Sequence, residues 1–325
     1  MKVFVYSCRP FDEEPLFKRF AEEFGMELGY TAEPPSEDNC SLASGSDFVS
    51  VLTTPITSGI LDRFKESGVR MVCTRTIGYN HIDLEHAKKI GMTVSHITYD
   101  AGGVAEYTVM MMIAAARRLK EIQRNNAIDD FRLNGLMGRR MCDLTIGIIG
   151  AGAIGRKVIR ILSGFGCRIL YWNRSDVRIP GACKVSFGEL ISESDMISLH
   201  LEYNTETRHI INRDTVSAMK DGVIIVNTAR GPLIDTEALI EGIESGKIAG
   251  ASLDVIEDEF GYYYNDCRGK VPQDSIMNRL RSCPGIFLTH HMAFYYDRAV
   301  EDMVRNSFIA MKALGDREEV PLRLA

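Results

Sequence analysis

Several features are missing from this sequence, and each absence closes off a class of protein. No apolar run is long enough to cross a bilayer, and the opening "MKVFVYSCRP" is broken by Ser7, Arg9 and Pro10 before a secretion-signal core could form. The eight cysteines (8, 40, 73, 142, 167, 183, 267, 283) include no C-x-x-C pair. Zinc and redox-pair spacings are therefore absent, and reduced thiols in a cytoplasmic protein are expected. No block of Lys or Arg occurs, and 38 basic against 44 acidic residues leave a net charge of −6. That balance argues against nucleic acid or an anionic membrane as a partner. Low-complexity segments and solenoid-period repeats are lacking too.

What remains is a 325-residue chain, 45% hydrophobic and 25% charged, long enough for two separate cores. Its first third alternates strand-like and helix-like stretches: "KVFVYS", then "EEPLFKRFAEEFG", "FVSVL", "SGILDRFKESG", "VRMVCT", "LEHAKKIG" and "MTVSHI". This grammar predicts a parallel sheet covered by helices. The stretch 104–124 lacks Gly and Pro, and its "MMM" run reads as helix core with a possible subunit-contact role. A second alternating series begins at Leu144 with "LTIGIIG", "CRILYW", "DMISLH", "VIIVNTA", "AGASLDV" and "GIFLTH". The residues after about 300 read as one helix packing back on the first domain. The pattern is that of one domain inserted in another: 1–100 with 299–325, and 101–298.

The segment "IGIIGAGAIGRKV" (146–158) sets Gly150, Gly152 and Gly155 between a β-branched strand and a helix, with a second strand following. That context is the dinucleotide-binding fingerprint. Gly150 permits the tight turn, Gly152 lets a pyrophosphate approach, and Gly155 lets helix and strand pack, while amides at Ala153 and Ile154 open the helix. An NAD-preferring site places an acid at the end of the second strand; here stand Asn173, Arg174 and Ser175. The missing acid and the added cation predict that NADP(H) is favoured, with NAD(H) as the alternative.

Doubly wound sheets bind ligands beyond the carboxyl ends of their strands. Three such ends carry reactive side chains: Arg230 in "VIIVNTARG", Asp254 and an acidic cluster in "ASLDVIEDE", and His290 with His291 in "GIFLTHHMAF". A guanidinium can hold a carboxylate through two hydrogen bonds, and an imidazolium beside a carboxylate can protonate a carbonyl. These groups suit reduction of a 2-oxo acid by a nicotinamide. Chemistry alone does not choose among Glu257, Asp258 and Glu259.

With "TRTIGYNHIDL", "GAGAIG", "NTARGPLIDTEAL", "GASLDV" and "THHMAF" together, nearly the whole chain resembles the D-2-hydroxyacid dehydrogenases. Residues 259–294 look especially like the D-lactate dehydrogenase branch, which includes a vancomycin-resistance member. The resemblance implies an α/β fold of two domains, a Rossmann dinucleotide-binding domain inserted into a flavodoxin-like substrate domain. It further implies a homodimer, Arg230 as carboxylate binder, His291 as acid/base and Glu259 as its partner. Thr76, Ile77, Gly78 and Tyr99 would bind substrate, and His200, Thr228 and Asp254 would lie along the cofactor. The family's Thr-Pro-His reads Thr289-His290-His291 here, and its His-Val-Pro reads His200-Leu201-Glu202. The implied reaction is reduction of a small 2-oxo acid, pyruvate first, to the D-2-hydroxy acid. Bulkier acids such as phenylpyruvate or 2-oxoisocaproate are the alternative. A cofactor-sensing corepressor of the same fold is the rival of another class.

Overall fold

A computed structural model describes residues 1–273 and 275–325. They form two compact units, Met1–Asp100 with Tyr295–Ala325, and Ala101–Phe294. The second crossing falls at 294/295 rather than 298/299. The cause is local to the first unit: the Tyr296 hydroxyl donates to the Asp100 carbonyl (2.5 Å), and the Arg9 guanidinium lies 5.7 Å from the Tyr295 ring centroid.

The first unit begins β1 (Lys2–Val5), α1 (Glu13–Phe24), β2 (Glu27–Tyr30), β3 (Phe48–Val51), α2 (Ser58–Glu66), β4 (Met71–Thr74), α3 (Leu84–Lys89) and β5 (Thr93–Ser95). Its five strands are all parallel in the order β2-β1-β3-β4-β5, which is the flavodoxin-like arrangement. β3, β4 and β5 are buried throughout, as strands covered by helices on both faces must be. The last helix of the chain, α11 (Asp297–Gly315), belongs here too, and its Phe308 ring packs among Phe17, Phe20 and Phe24 of α1.

At the carboxyl ends of these strands lies a fully buried ion pair. Arg75 Nε donates to Glu13 Oε1 at 3.1 Å, and its other nitrogens reach Ser50 Oγ and the carbonyls of Tyr6 and Ser7 at 3.1–3.2 Å. A buried guanidinium is tolerable only when its donors are satisfied in this way. Because Arg75 precedes Thr76 directly, the same contacts fix where the 76–78 loop leaves β4.

The second unit contains α4 (Gly102–Ala116), α5 (Leu119–Asn126), β6 (Thr145–Ile149), α6 (Ala153–Ser163), β7 (Arg168–Trp172), β8 (Cys183–Lys184), α7 (Phe187–Glu193) and β9 (Met196–Leu199). It continues through α8 (Arg213–Ala218), β10 (Val223–Asn227), α9 (Thr236–Glu244), β11 (Ile248–Leu253), α10 (Ile276–Ser282) and β12 (Ile286–Leu288). The seven strands are parallel in the order β12-β11-β10-β9-β6-β7-β8. The strand order reverses between β6 and β9, so a crevice opens where Gly150 follows β6 and His200 follows β9.

The stretch 104–124 falls in two helices, α4 and α5. Arg118 adopts a left-handed backbone (φ 54°) between them. α4 is apolar nearly all round and buries Val109, Met111 and Met112 in the second unit's core, whereas α5 buries none of its residues. Of the Met run, Met111 and Met112 are core, whereas Met110 is exposed. All eight cysteines are unpaired.

Candidate active site

The glycine turn comes first, because it sets how closely anything can approach the sheet. Gly150 has φ 96°, where a side chain is strained, and a Cβ there would lie 2.5 Å from the His200 carbonyl oxygen. A Cβ on Gly155 would meet the Gly150 oxygen at 2.1 Å, whereas one on Gly152 would meet nothing within 4 Å. The turn is thus packed on two sides and open on the third. α6 begins at Ala153 with no side-chain cap, so its first amides are available to an anion. These residues fit the pyrophosphate of a dinucleotide.

At the end of β7 the Asn173 amide oxygen accepts from the Ala151 amide (3.0 Å), and its nitrogen donates to Ser175 Oγ (2.7 Å). Asn173 thereby ties the glycine turn to the strand beside it, a role that its residue type did not advertise. Arg174 is exposed and sits 3.3 Å from Glu206 Oε2. His200 shares a 3.0 Å hydrogen bond with Ser198 Oγ, and burial pushes its pKa down to about 4, so the ring is neutral at pH 7. Thr228 Oγ1 lies 2.7 Å from Thr108 Oγ1 and binds the end of β10 to α4.

The carboxyl ends of β10, β11 and β12 carry the reactive groups, and neighbouring strands lie about 4.8 Å apart. Arg230 leaves β10 through a turn shaped by Asn227, whose side chain accepts from the Ala229 amide and donates to the Arg230 carbonyl. Gly231 then passes so close to the next loop that a Cβ would stand 2.0 Å from the Ile256 carbonyl. Beyond β11, Asp254 is fully buried; it accepts from Thr289 Oγ1 (2.5 Å), the Met292 amide (2.8 Å) and the Ala293 amide (2.9 Å). Its carbonyl accepts from the His291 amide at 2.7 Å. Asp254 therefore holds the turn that carries the imidazole.

His291 Nδ1 and Glu259 Oε1 are 2.7 Å apart, both half-buried, which turns Nε2 away from the carboxylate. The three acids of the cluster separate cleanly. Glu257 binds His209 and Thr236, Asp258 is exposed at φ 53°, and Glu259 faces His291. His290 is exposed against the edge of the Tyr263 ring. Phe294 and Tyr264 flank the His291 ring at 6.1 and 6.2 Å, and the Tyr264 hydroxyl donates to the His291 carbonyl.

The remaining predicted residues lie in the first unit, where Thr76 Oγ1 sits 2.6 Å from Thr74 Oγ1 and from the Gly78 carbonyl. Ile77 lies between them, and Tyr99 is half-buried beyond β5. Sequence reasoning passed over Asn227, Gly231 and His209. Asn227 and Gly231 stand within "VNTARG", where an Asn at a strand end was the available signal.

A fold with a dinucleotide turn and an Arg, Glu and His at successive strand ends is that of a nicotinamide-dependent oxidoreductase. Residues 109–293 match the family model described as "D-isomer specific 2-hydroxyacid dehydrogenase, NAD binding domain". The chain belongs to the D-2-hydroxyacid dehydrogenase family. It is 38% identical to a D-specific alpha-keto acid dehydrogenase of Enterococcus faecium, across 93% of this chain and 94% of the relative. It is 37% identical to an aromatic 2-oxoacid reductase of Clostridium sporogenes, across 94% and 93%. The solved apo structure of D-lactate dehydrogenase from Escherichia coli superposes with a TM-score of 0.87 at 32% identity over 100% of both chains. No helix among the described residues is long and apolar enough to cross a membrane.

The depressed pKa of His200 has a measurable consequence. The unfolded chain takes up this proton near the ordinary value of 6.5, and the folded protein only near 4. The associated stability is complete above pH 6.5 and is lost as pH falls toward 4, by about 3 kcal/mol in full. His200→Gln should flatten the fall of Tm across that window. Parallel curves for variant and wild type would show that His200 titrates freely.

Proposed function

We propose that this protein reduces a small 2-oxo acid, pyruvate first, to the D-2-hydroxy acid. The observation that supports this most directly is the 2.7 Å His291–Glu259 pair beyond β12, on the same sheet edge as Arg230 beyond β10. In this reading the Arg230 fork receives the substrate carboxylate in two charged hydrogen bonds and draws the carbonyl into line. The His291 imidazolium donates its Nε2 proton to the carbonyl oxygen, and Glu259 stabilises the positive ring until that moment. When bound, the reduced nicotinamide supplies the hydride that the carbonyl carbon accepts. Thr76, Ile77, Gly78 and Tyr99 are assigned to the substrate, and Thr228 and Asp254 to the nicotinamide end. The rings of Phe294 and Tyr264 beside His291 favour a methyl side chain. An aromatic 2-oxo acid is the second reading, favoured by the likeness to the aromatic 2-oxoacid reductase.

For the cofactor, the proposal favours NADP(H), with NAD(H) also accepted. A carboxylate at Asn173 would repel a 2′-phosphate by about 4 kcal/mol at 4 Å and an effective dielectric of 20. The Arg174–Glu206 pair is exposed and worth about 0–1 kcal/mol, so a phosphate can recruit the guanidinium. The protein is further proposed to be a cytoplasmic homodimer. Ile128, Phe131, Leu133 and Met137 are 70–90% exposed on one segment after α5, and such a cluster is costly to leave in water.

Arg230→Ala should lower kcat/KM for pyruvate by at least about tenfold, and Arg230→Lys should stay impaired because it loses the fork. Glu259→Gln should lower kcat/KM for pyruvate by at least about tenfold, because the imidazole loses its charged partner. A fully active lysine or glutamine variant would count against these roles. Arg174→Ala should cost about tenfold in kcat/KM with NADPH and little with NADH; a tenfold preference of the wild type for NADH would overturn the cofactor assignment. In sedimentation velocity the wild type should run as a dimer, and Phe131→Asp with Leu133→Asp should shift it toward monomer. A wild-type monomer would remove the dimer proposal.

A further inference from the structure

Two histidines in the second unit share an unusual arrangement. His291 and His209 both have left-handed backbones, φ 57° and 50°, and each ring bonds a glutamate at 2.7 Å. The two glutamates, Glu259 and Glu257, are two residues apart. Left-handed backbone is costly for a residue with a Cβ, and it persists where surrounding contacts hold it. At His291 those contacts serve the pair assigned above to proton transfer. His209 has no role in that assignment.

The neighbourhood of His209 shows what its ring secures. Its amide donates to the Pro232 carbonyl (2.9 Å), and the Ile211 amide to that of Leu233 (3.1 Å). The segment is therefore stitched to the turn that starts at Arg230. Its Nε2 holds Glu257 Oε1, while Glu257 Oε2 accepts from the Thr236 amide (3.0 Å) and hydroxyl (2.7 Å). Glu257 also backs directly onto Gly231, where a Cβ would lie 2.5 Å from the Glu257 amide nitrogen. A carboxylate whose backbone touches the residue after Arg230, with one oxygen released, would compete for the guanidinium.

We propose that His209 is a positioning residue: by occupying Glu257 Oε1 it keeps that carboxylate off Arg230, whose Nη1 donates to the Ala229 carbonyl at 2.6 Å and whose remaining donors are left for the substrate. Thr236 alone satisfies only one of the two oxygens, so the imidazole is the group that completes the sequestration. The cluster "IEDE" can then carry its three acids on the loop that backs onto Gly231 without self-inhibition. This inference rests on the assignment of Arg230 to the substrate carboxylate.

Steady-state rates with pyruvate and with phenylpyruvate, on the full chain, test it. His209→Gly accepts the left-handed backbone and frees Glu257; KM for the 2-oxo acid should rise at least fivefold with kcat within about twofold. Adding Glu257→Gln removes the freed charge while Gln can still accept from Thr236, and should return KM to within about twofold of wild type. His209→Gln places its amide nitrogen near the position of the imidazole Nε2 and can still donate to Glu257, so it should stay near wild type. A purely structural role for His209 would leave the double variant no better than the single one. An unchanged KM in His209→Gly, or an equal rise in single and double variants, would overturn the proposal. Arg230→Ala, measured alongside, separates the two levels. If it leaves KM untouched the carboxylate assignment fails, and if it raises KM while His209→Gly does not, only the role of His209 fails.

Discussion

The buried carboxylate of Asp254 is the joint on which the reactive end of the second unit depends. Its side chain accepts a hydroxyl from Thr289 and two amides from residues 292 and 293, its carbonyl takes the His291 amide, and its own amide bonds the Asn227 carbonyl. β10, β11 and the exit from β12 thus meet at one residue with no exposed surface. A buried carboxylate lacking such donors would be costly enough to stay protonated, and the turn would lose its template. The hydrogen bonds to Asp254 hold His291 in the left-handed conformation from which its ring meets Glu259.

Much of the architecture was readable because the physics that drives it is local. Parallel strands buried on both faces must be continuous apolar runs, and "FVSVL", "VRMVCT", "LTIGII" and "VIIVN" announce themselves accordingly. The glycine fingerprint was legible for the same reason, since Gly150 and Gly155 answer steric demands that no other residue meets. The exposed course of α5 was less legible, because "LKEIQRNN" has helical spacing and yet buries none of its residues.

The site divides along the same line. Residue types at strand ends pointed to Arg230, Asp254 and the paired histidines. Which acid serves which histidine is a tertiary fact: Glu257, Asp258 and Glu259 differ only in direction, set by backbone dihedrals and by His209 arriving from a loop some fifty positions earlier. Asn173 carried a similar ambiguity. As a residue type it signals the loss of a ribose-binding acid, yet in the fold its amide oxygen also secures the Ala151 amide beside the glycine turn.

The chain's single tryptophan, Trp172, closes β7 one residue before Asn173. Its carbonyl accepts from the Gly150 amide and its ring meets the edge of Phe187 at 5.3 Å. Its indole is half-buried. Since no other indole contributes, ultraviolet emission excited at the red edge of protein absorption originates wholly from the end of β7, beside the glycine turn. The molecule therefore carries an intrinsic optical reporter next to Gly150, and neither a label nor turnover is needed to follow changes there.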